Sequence, residues 1–177
     1  SADTKFWVQL GGDINNSFIN SLGSSQTAGY TGEYVSINGT GDRIAVGSRN
    51  YDAFGSNNGA VFVLEYSTPG QMGGTWSLVG NIIGFTHLTE TNISLGRQSM
   101  VLSQDGNTIL VSGVYGDTTK MPASMKHQED DGNYNTIGPV SVFQYRTVTE
   151  SEFNAGNTTT NDPNDGTPLI LASGAAW

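Results

Sequence analysis

The chain has 177 residues and carries sixteen Asp and Glu against seven Lys and Arg, a net charge of −9. So few cations exclude a nucleic-acid surface, because binding phosphates requires clustered Lys and Arg, and the absence of cysteine excludes disulfides and thiolate metal sites. No apolar run approaches the roughly 20 residues of a membrane-spanning helix, and the length suits one or two domains with a buried core.

Glycine is 24 of the 177 residues, and β-branched residues fill the short apolar runs. No window keeps an i, i+3, i+4, i+7 apolar pattern, so the reading is all-β with almost no helix. In chain order, strands are predicted at 6–10, 34–38, 43–48, 60–66, 75–79, 99–103, 108–113 and 139–145.

These strands come in matched sets. Val35-Ser-Ile-Asn-Gly-Thr-Gly-Asp-Arg-Ile-Ala-Val-Gly-Ser48 aligns without gaps on Met100-Val-Leu-Ser-Gln-Asp-Gly-Asn-Thr-Ile-Leu-Val-Ser-Gly113. Each is two apolar runs around a polar glycine turn, the signature of a β-hairpin. Upstream, Trp7-Val-Gln-Leu-Gly11 matches Trp76-Ser-Leu-Val-Gly80, with Ile14 and Ile83 following at the same spacing. Downstream, Gly59-Ala-Val-Phe-Val-Leu-Glu-Tyr66 matches Gly138-Pro-Val-Ser-Val-Phe-Gln-Tyr145, and Asp52 corresponds to Asp117. The unit is a Trp strand, a hairpin and a strand that begins after Gly and ends in Tyr. Residues 1–83 form a first repeat with a leading Trp strand and 84–146 a second. Residues 147–177 are a polar, acidic tail that leads into a third, since Gly174-Ala-Ala-Trp177 resembles Gly73-Gly-Thr-Trp76.

Four short strands per unit point to small sheets that must stack to bury their faces. The Ser-x-Asp-Gly hairpin from Ser103 to Val111 resembles that of WD40-type propellers, and Asp52 with Gly-Ala-Val-Phe-Val-x-x-Tyr up to Tyr66 resembles the FG-GAP repeat of integrin-α-like propellers. The composite is similar to repeats of algal, protist and large-virus surface proteins. The resemblance covers 6–146 and implies a β-propeller-like fold of about two four-stranded antiparallel blades, part of a larger propeller or closed by oligomerisation. It would set Trp7 and Trp76 on outermost strands and Val35 and Val101 on innermost ones. The hairpin turns lack the Asp-rich loop of the calcium-binding members.

Candidate sites lie in the loops. Residues 118–137 are an insertion, and Lys120, Met121, Met125, Lys126 and His127 in it are candidate partner contacts, because loops on rigid scaffolds carry binding and Met side chains adapt to surfaces. A sugar platform would need Tyr51, Phe54, Tyr115 and Tyr134 exposed on one loop face. Asp162, Asn164 and Asp165 are candidate calcium ligands, although their spacing fits no EF-hand; the preferred reading of this tail is a flexible or edge-covering segment, with no cofactor. Asn15, Asn38, Asn92 and Asn157 begin N-x-S/T sequons, with Asn157 and Asn38 the expected acceptors. Asp52 and Asp117 read as turn residues that accept backbone N–H bonds, and the two Trp as packing between sheets.

No catalytic constellation is present: no nucleophile elbow, no phosphate-cradling glycine loop leading into a helix, no HExxH. The expectation is a non-enzymatic interaction or structural module of an extracellular, luminal or virion-surface assembly. Its partners would be other protein chains or further blades of the same polypeptide. The rivals are a carbohydrate-binding module and a propeller-type hydrolase fragment with two converging carboxylates.

Overall fold

The computed structural model describes residues 5–23, 28–84, 94–97, 99–114, 140–146, 160–161 and 168–169. Strands β1 (Thr31–Ile37), β2 (Arg43–Ser48), β3 (Ala60–Tyr66) and β4 (Trp76–Leu78) form a four-stranded antiparallel meander in chain order. Strands β5 (Ser99–Leu102), β6 (Thr108–Ser112) and β7 (Val140–Gln144) form a three-stranded one, and β8 (Thr160–Asn161) pairs with β9 (Pro168–Leu169). The chain is therefore all-β apart from one helix, α1 (Asn16–Leu22).

Seven of the eight predicted strands form within three residues of the expected bounds. The exception is 6–10, which is not in a strand and whose Phe6, Trp7 and Val8 lie exposed. The packing role expected of Trp7 is thus corrected. A strand needs a neighbour to satisfy its backbone, and no described strand lies beside this segment. Trp76 does pack, but its strand closes the sheet that precedes it. The Leu64↔Leu78, Glu65↔Ser77 and Tyr66↔Trp76 pairs add β4 to the free side of β3. The second sheet has three strands among the described residues where four were expected.

Helix α1 departs from the sequence reading because seven residues are too few to show a period. Its start is set locally: Asn15 is extended, and its Oδ1 accepts from Phe18 N at 3.0 Å, satisfying one of the unpaired first-turn donors. The helix buries Ile19, with Phe18 and Leu22 beside it, on one face of the first sheet.

The two hairpins are held by matching bonds. Asn38 N donates to Arg43 O at 3.0 Å and Ser103 N to Thr108 O at 2.8 Å; Tyr66 N donates to Asp42 O at 2.8 Å and Tyr145 N to Asn107 O at 2.7 Å. Gly41 and Gly106 take φ of 75° and 72° at equivalent points of the turns, a left-handed backbone that costs other residues about 1–2 kcal/mol. At Gly59 (φ 74°) an added Cβ would stand 2.6 Å from Leu95 N and 2.8 Å from Arg49 O. That close approach ties the start of β3 to the segment leading into the second sheet.

Two apolar layers follow from strand alternation. Ala45, Val61, Val63 and Val79 on one face of the first sheet meet Met100, Leu102, Ile109 and Val111 on the facing side of the second, with Ile83 and Leu95 between them. The opposite face of the first sheet, Val46, Ala60, Phe62 and Leu64, is covered by α1 and by Tyr51. Each fully buried side chain of this kind contributes about 1.5–3 kcal/mol of transfer free energy, so the sheet-to-sheet contact is the main tie between the two halves. Polar groups add to it at the turn end. Leu102 N donates to Ser36 Oγ at 2.9 Å, Gly39 N to Gln104 O at 2.9 Å, and Arg43 Nη1 to Asn107 Oδ1 at 2.7 Å.

Candidate interaction surface

The turn ends of the hairpins carry a dense set of polar side-chain bonds. Arg43 pairs with Glu65 at 2.6 Å, reaches the Gly106 carbonyl at 3.3 Å, and lies 5.4 Å from the Tyr145 ring centroid. Asn38 Nδ2 donates to Asp42 Oδ1 at 2.7 Å and to Thr40 Oγ1 at 2.9 Å, while its Oδ1 accepts from the backbone N–H of Asp42 and Arg43. The Thr40 hydroxyl and the Asn38 amide hold the Asp42 carboxyl below its ordinary range. In the second turn the Ser103 hydroxyl, then the Asn107 backbone N–H, lower Asp105 in the same way. Both carboxylates organise turns; neither is gathered with other acids, and no group of three or more His, Asp or Glu able to hold a metal occurs among the described residues.

Two expectations are corrected here. Asn38 was expected to be an accessible glycan acceptor, but it is only 7% exposed and its amide is spent inside the turn. A sugar on Nδ2 would displace the bonds to Asp42 and Thr40. Tyr51, which a sugar platform would need exposed as a ligand-binding candidate, is instead fully buried, edge-on to Phe62 at 5.2 Å. Burial pushes its phenol above the ordinary value, and its hydroxyl has no hydrogen-bond partner among the described residues. Phe54 is half-buried and lies so close over Gly84 that a Cβ there would clash with its ring. Asp52 Oδ1 accepts from Asn57 N at 2.8 Å, the turn role read from the sequence. The burials leave no mark on the local sequence, because an aromatic residue in a loop looks the same whether it points inward or outward.

The remaining candidates, Tyr115, Lys120, Met121, Met125, Lys126, His127, Tyr134, Asn157, Asp162, Asn164 and Asp165, lie outside the described residues, as does Asp117.

What the structure does display is an apolar face that sequence reasoning did not single out. In the second sheet, Val101 pairs with Leu110 and Leu110 with Val142, so the three form a row across the strands on the side away from the first sheet. Val101 is 56% exposed, and Val140 and Val142 are each 63% exposed. On the matching strand β3, Val61 and Val63 are both 0% exposed. The signal was available in the strict alternation of β5 to β7, but alternation alone does not say which face has a cover. At the other end of the molecule, Phe6, Trp7, Val8, Val35 and Ile37 are exposed as well.

No protein-family model, no curated protein and no solved structure matches this chain.

Proposed function

We propose that this chain is a non-catalytic β-sheet module whose role is to join further sheets into a propeller-like stack, within an extracellular, luminal or virion-surface assembly. The observation that carries the reading is the apolar row Val101–Leu110–Val142, because contiguous exposed apolar surface on a rigid sheet marks an interaction site. Each sheet is a repeat with two apolar faces, and such repeats gain stability by stacking on neighbours. The acidic surface and the sequon at Asn157 accord with a setting outside the cytosol. The sugar-platform reading has less behind it, since Tyr51 and Phe54 are committed to the core.

The test is the triple variant Val101→Thr, Leu110→Thr, Val142→Thr, which keeps β-branched or β-tolerant side chains while removing the apolar face. Expected at low protein concentration is an unfolding free energy within about 0.5 kcal/mol per site of the parent, as for exposed positions, together with loss of binding of a fluorescent apolar dye. A drop of several kcal/mol in the variant would mean that the chain's own residues already cover the face, and the module reading would fall.

A further inference from the structure

The chain enters β1 through a tyrosine held in a conformation that its side chain disfavours. Tyr30 has a φ of 57°, in the left-handed region where a Cβ crowds the following carbonyl, and a bulky residue there is an outlier. The bonds on either side impose it. Ahead of Tyr30, Ala28 N donates to Asn20 Oδ1 at 2.7 Å, and the Gly29 carbonyl accepts from Ser48 Oγ at 3.2 Å and from Asn50 N at 3.4 Å. After it, Thr31 N donates to Asn16 Oδ1 at 3.2 Å. The peptides flanking Tyr30 are thus tied to α1 and to the end of β2. Strained backbone that the surroundings over-determine in this way clusters at ligand sites.

What the strain positions is the ring. The Arg49 guanidinium carbon lies 3.7 Å from the Tyr30 ring centroid and covers one face, while the residue as a whole stays 58% exposed, so the other face meets water. Arg49 is itself fixed, its Nη1 donating to Glu33 Oε1 at 3.1 Å. Glu33 reaches it because β1 is bulged. Thr31 pairs with Ser48 and Val35 with Val46, which leaves 32–34 opposite Gly47 alone, and a bulge re-aims the side chains it carries. Within the bulge Gly32 takes φ 82°, and a Cβ there would meet nothing within 4 Å, so the ground beside Glu33 is open.

We propose that Tyr30, Arg49 and Glu33 form a binding site for a neutral pyranose sugar, whose C–H face stacks on the open side of the Tyr30 ring. The charges select the ligand class. The Arg49 cation already occupies the attraction of the ring for positive charge, and Glu33, in a chain of net charge −9, repels an anionic sugar. An uncharged apolar face with hydroxyls at its rim is what the site suits. The Glu33 side chain, 34% exposed, accepts from those hydroxyls in charge-assisted bonds, and a ring already fixed by folding loses little freedom on binding. This site goes beyond the module reading and involves neither the Val101–Leu110–Val142 row nor the core residues Tyr51 and Phe54.

The test is an NMR titration of the parent chain with methyl β-glucoside, methyl β-galactoside and methyl α-mannoside, and with methyl β-glucuronide as the anionic contrast. At least one neutral glycoside is expected to bind with a Kd on the order of 1 mM, shifting the Tyr30 ring signals, and the glucuronide more weakly. Tyr30→Phe should keep the affinity within about threefold, since the stacking face remains. Glu33→Gln should weaken it about tenfold. Tyr30→Gly suits the left-handed backbone; it should abolish binding and melt within about 3 °C of the parent. Failure of all three neutral glycosides to bind, a glucuronide bound as tightly as they are, or binding retained by Tyr30→Gly overturns the site. A Tyr30→Gly variant that melts far below the parent also overturns it, because the ring would then be a structural prop.

Discussion

At the residue scale, several side chains trade one kind of satisfaction for another. Tyr51 contributes a large buried ring, yet its hydroxyl is taken out of water without a described partner, which costs about 1–3 kcal/mol for an unmade hydrogen bond. Tyr51→Phe keeps the edge-on contact with Phe62 and removes the unpaired group. It is expected to leave stability unchanged or raise it by about 1 kcal/mol in urea unfolding, whereas a loss of that size would show that the hydroxyl is bonded in solution. Asp42 and Asp105 behave in the opposite sense. Both carboxyls are lowered from their ordinary value of 3.8 by donors in their own turns, so the folded state favours the charged form. Their contribution is fully present above pH 3.8 and is lost as pH falls through the lower folded values. The expected outcome is a melting temperature that the double variant Asp42→Asn, Asp105→Asn leaves less steeply dependent on pH below about 4 than in the parent. Parallel curves for the two proteins would remove these carboxylates from the account.

At the element scale, the strands were legible because alternation and glycine turns are local signals. β2 and β3 formed with the bounds expected of them, and the hairpin turns placed Gly41 and Gly106 where a left-handed backbone was needed. Helix α1 was not legible: Phe18, Ile19 and Leu22 lie in seven residues, and what stabilises them is the Val46–Phe62–Leu64 face of a sheet formed later in the chain. The strand at 6–10 illustrates the converse. Its sequence matches that of β4, but a strand is completed by its neighbour, and among the described residues only β4 has one. The crossing from the first sheet to the second depends on Gly59, whose missing side chain admits backbone atoms of Leu95 and Arg49. Gly59→Ala would add both a clash and a left-handed strain, and is expected to destabilise the fold by about 3 kcal/mol. A chemical-denaturation midpoint equal to the parent's would show that the two segments part readily.

At the scale of the whole molecule, two sheets stacked in the same sense generate a polarity. One end presents Val101, Leu110 and Val142, and the other presents Trp7, Val35 and Ile37. A sandwich closed on itself would have hidden both. Among the described residues β7 is the last strand of its sheet, and its outward side chains Val140 and Val142 are exposed, a position where unintended pairing is a liability. The threonine triple variant should therefore also be the more soluble protein if the face is an interface, which a precipitation series against the parent would check.

The sequence by itself determined the strands, their turns, their order along the chain and the correspondence between the two hairpins, because each depends on residues only a few positions apart. It left open the sheet each Trp strand joins, the burial of Tyr51 and Asn38, and the face left uncovered. Those depend on contacts between residues far apart in the chain, such as Trp76 with Leu10 or Arg43 with Asn107. A strand has two edges and two faces of equal local claim, and only the arrangement of its neighbours decides which of them meets water.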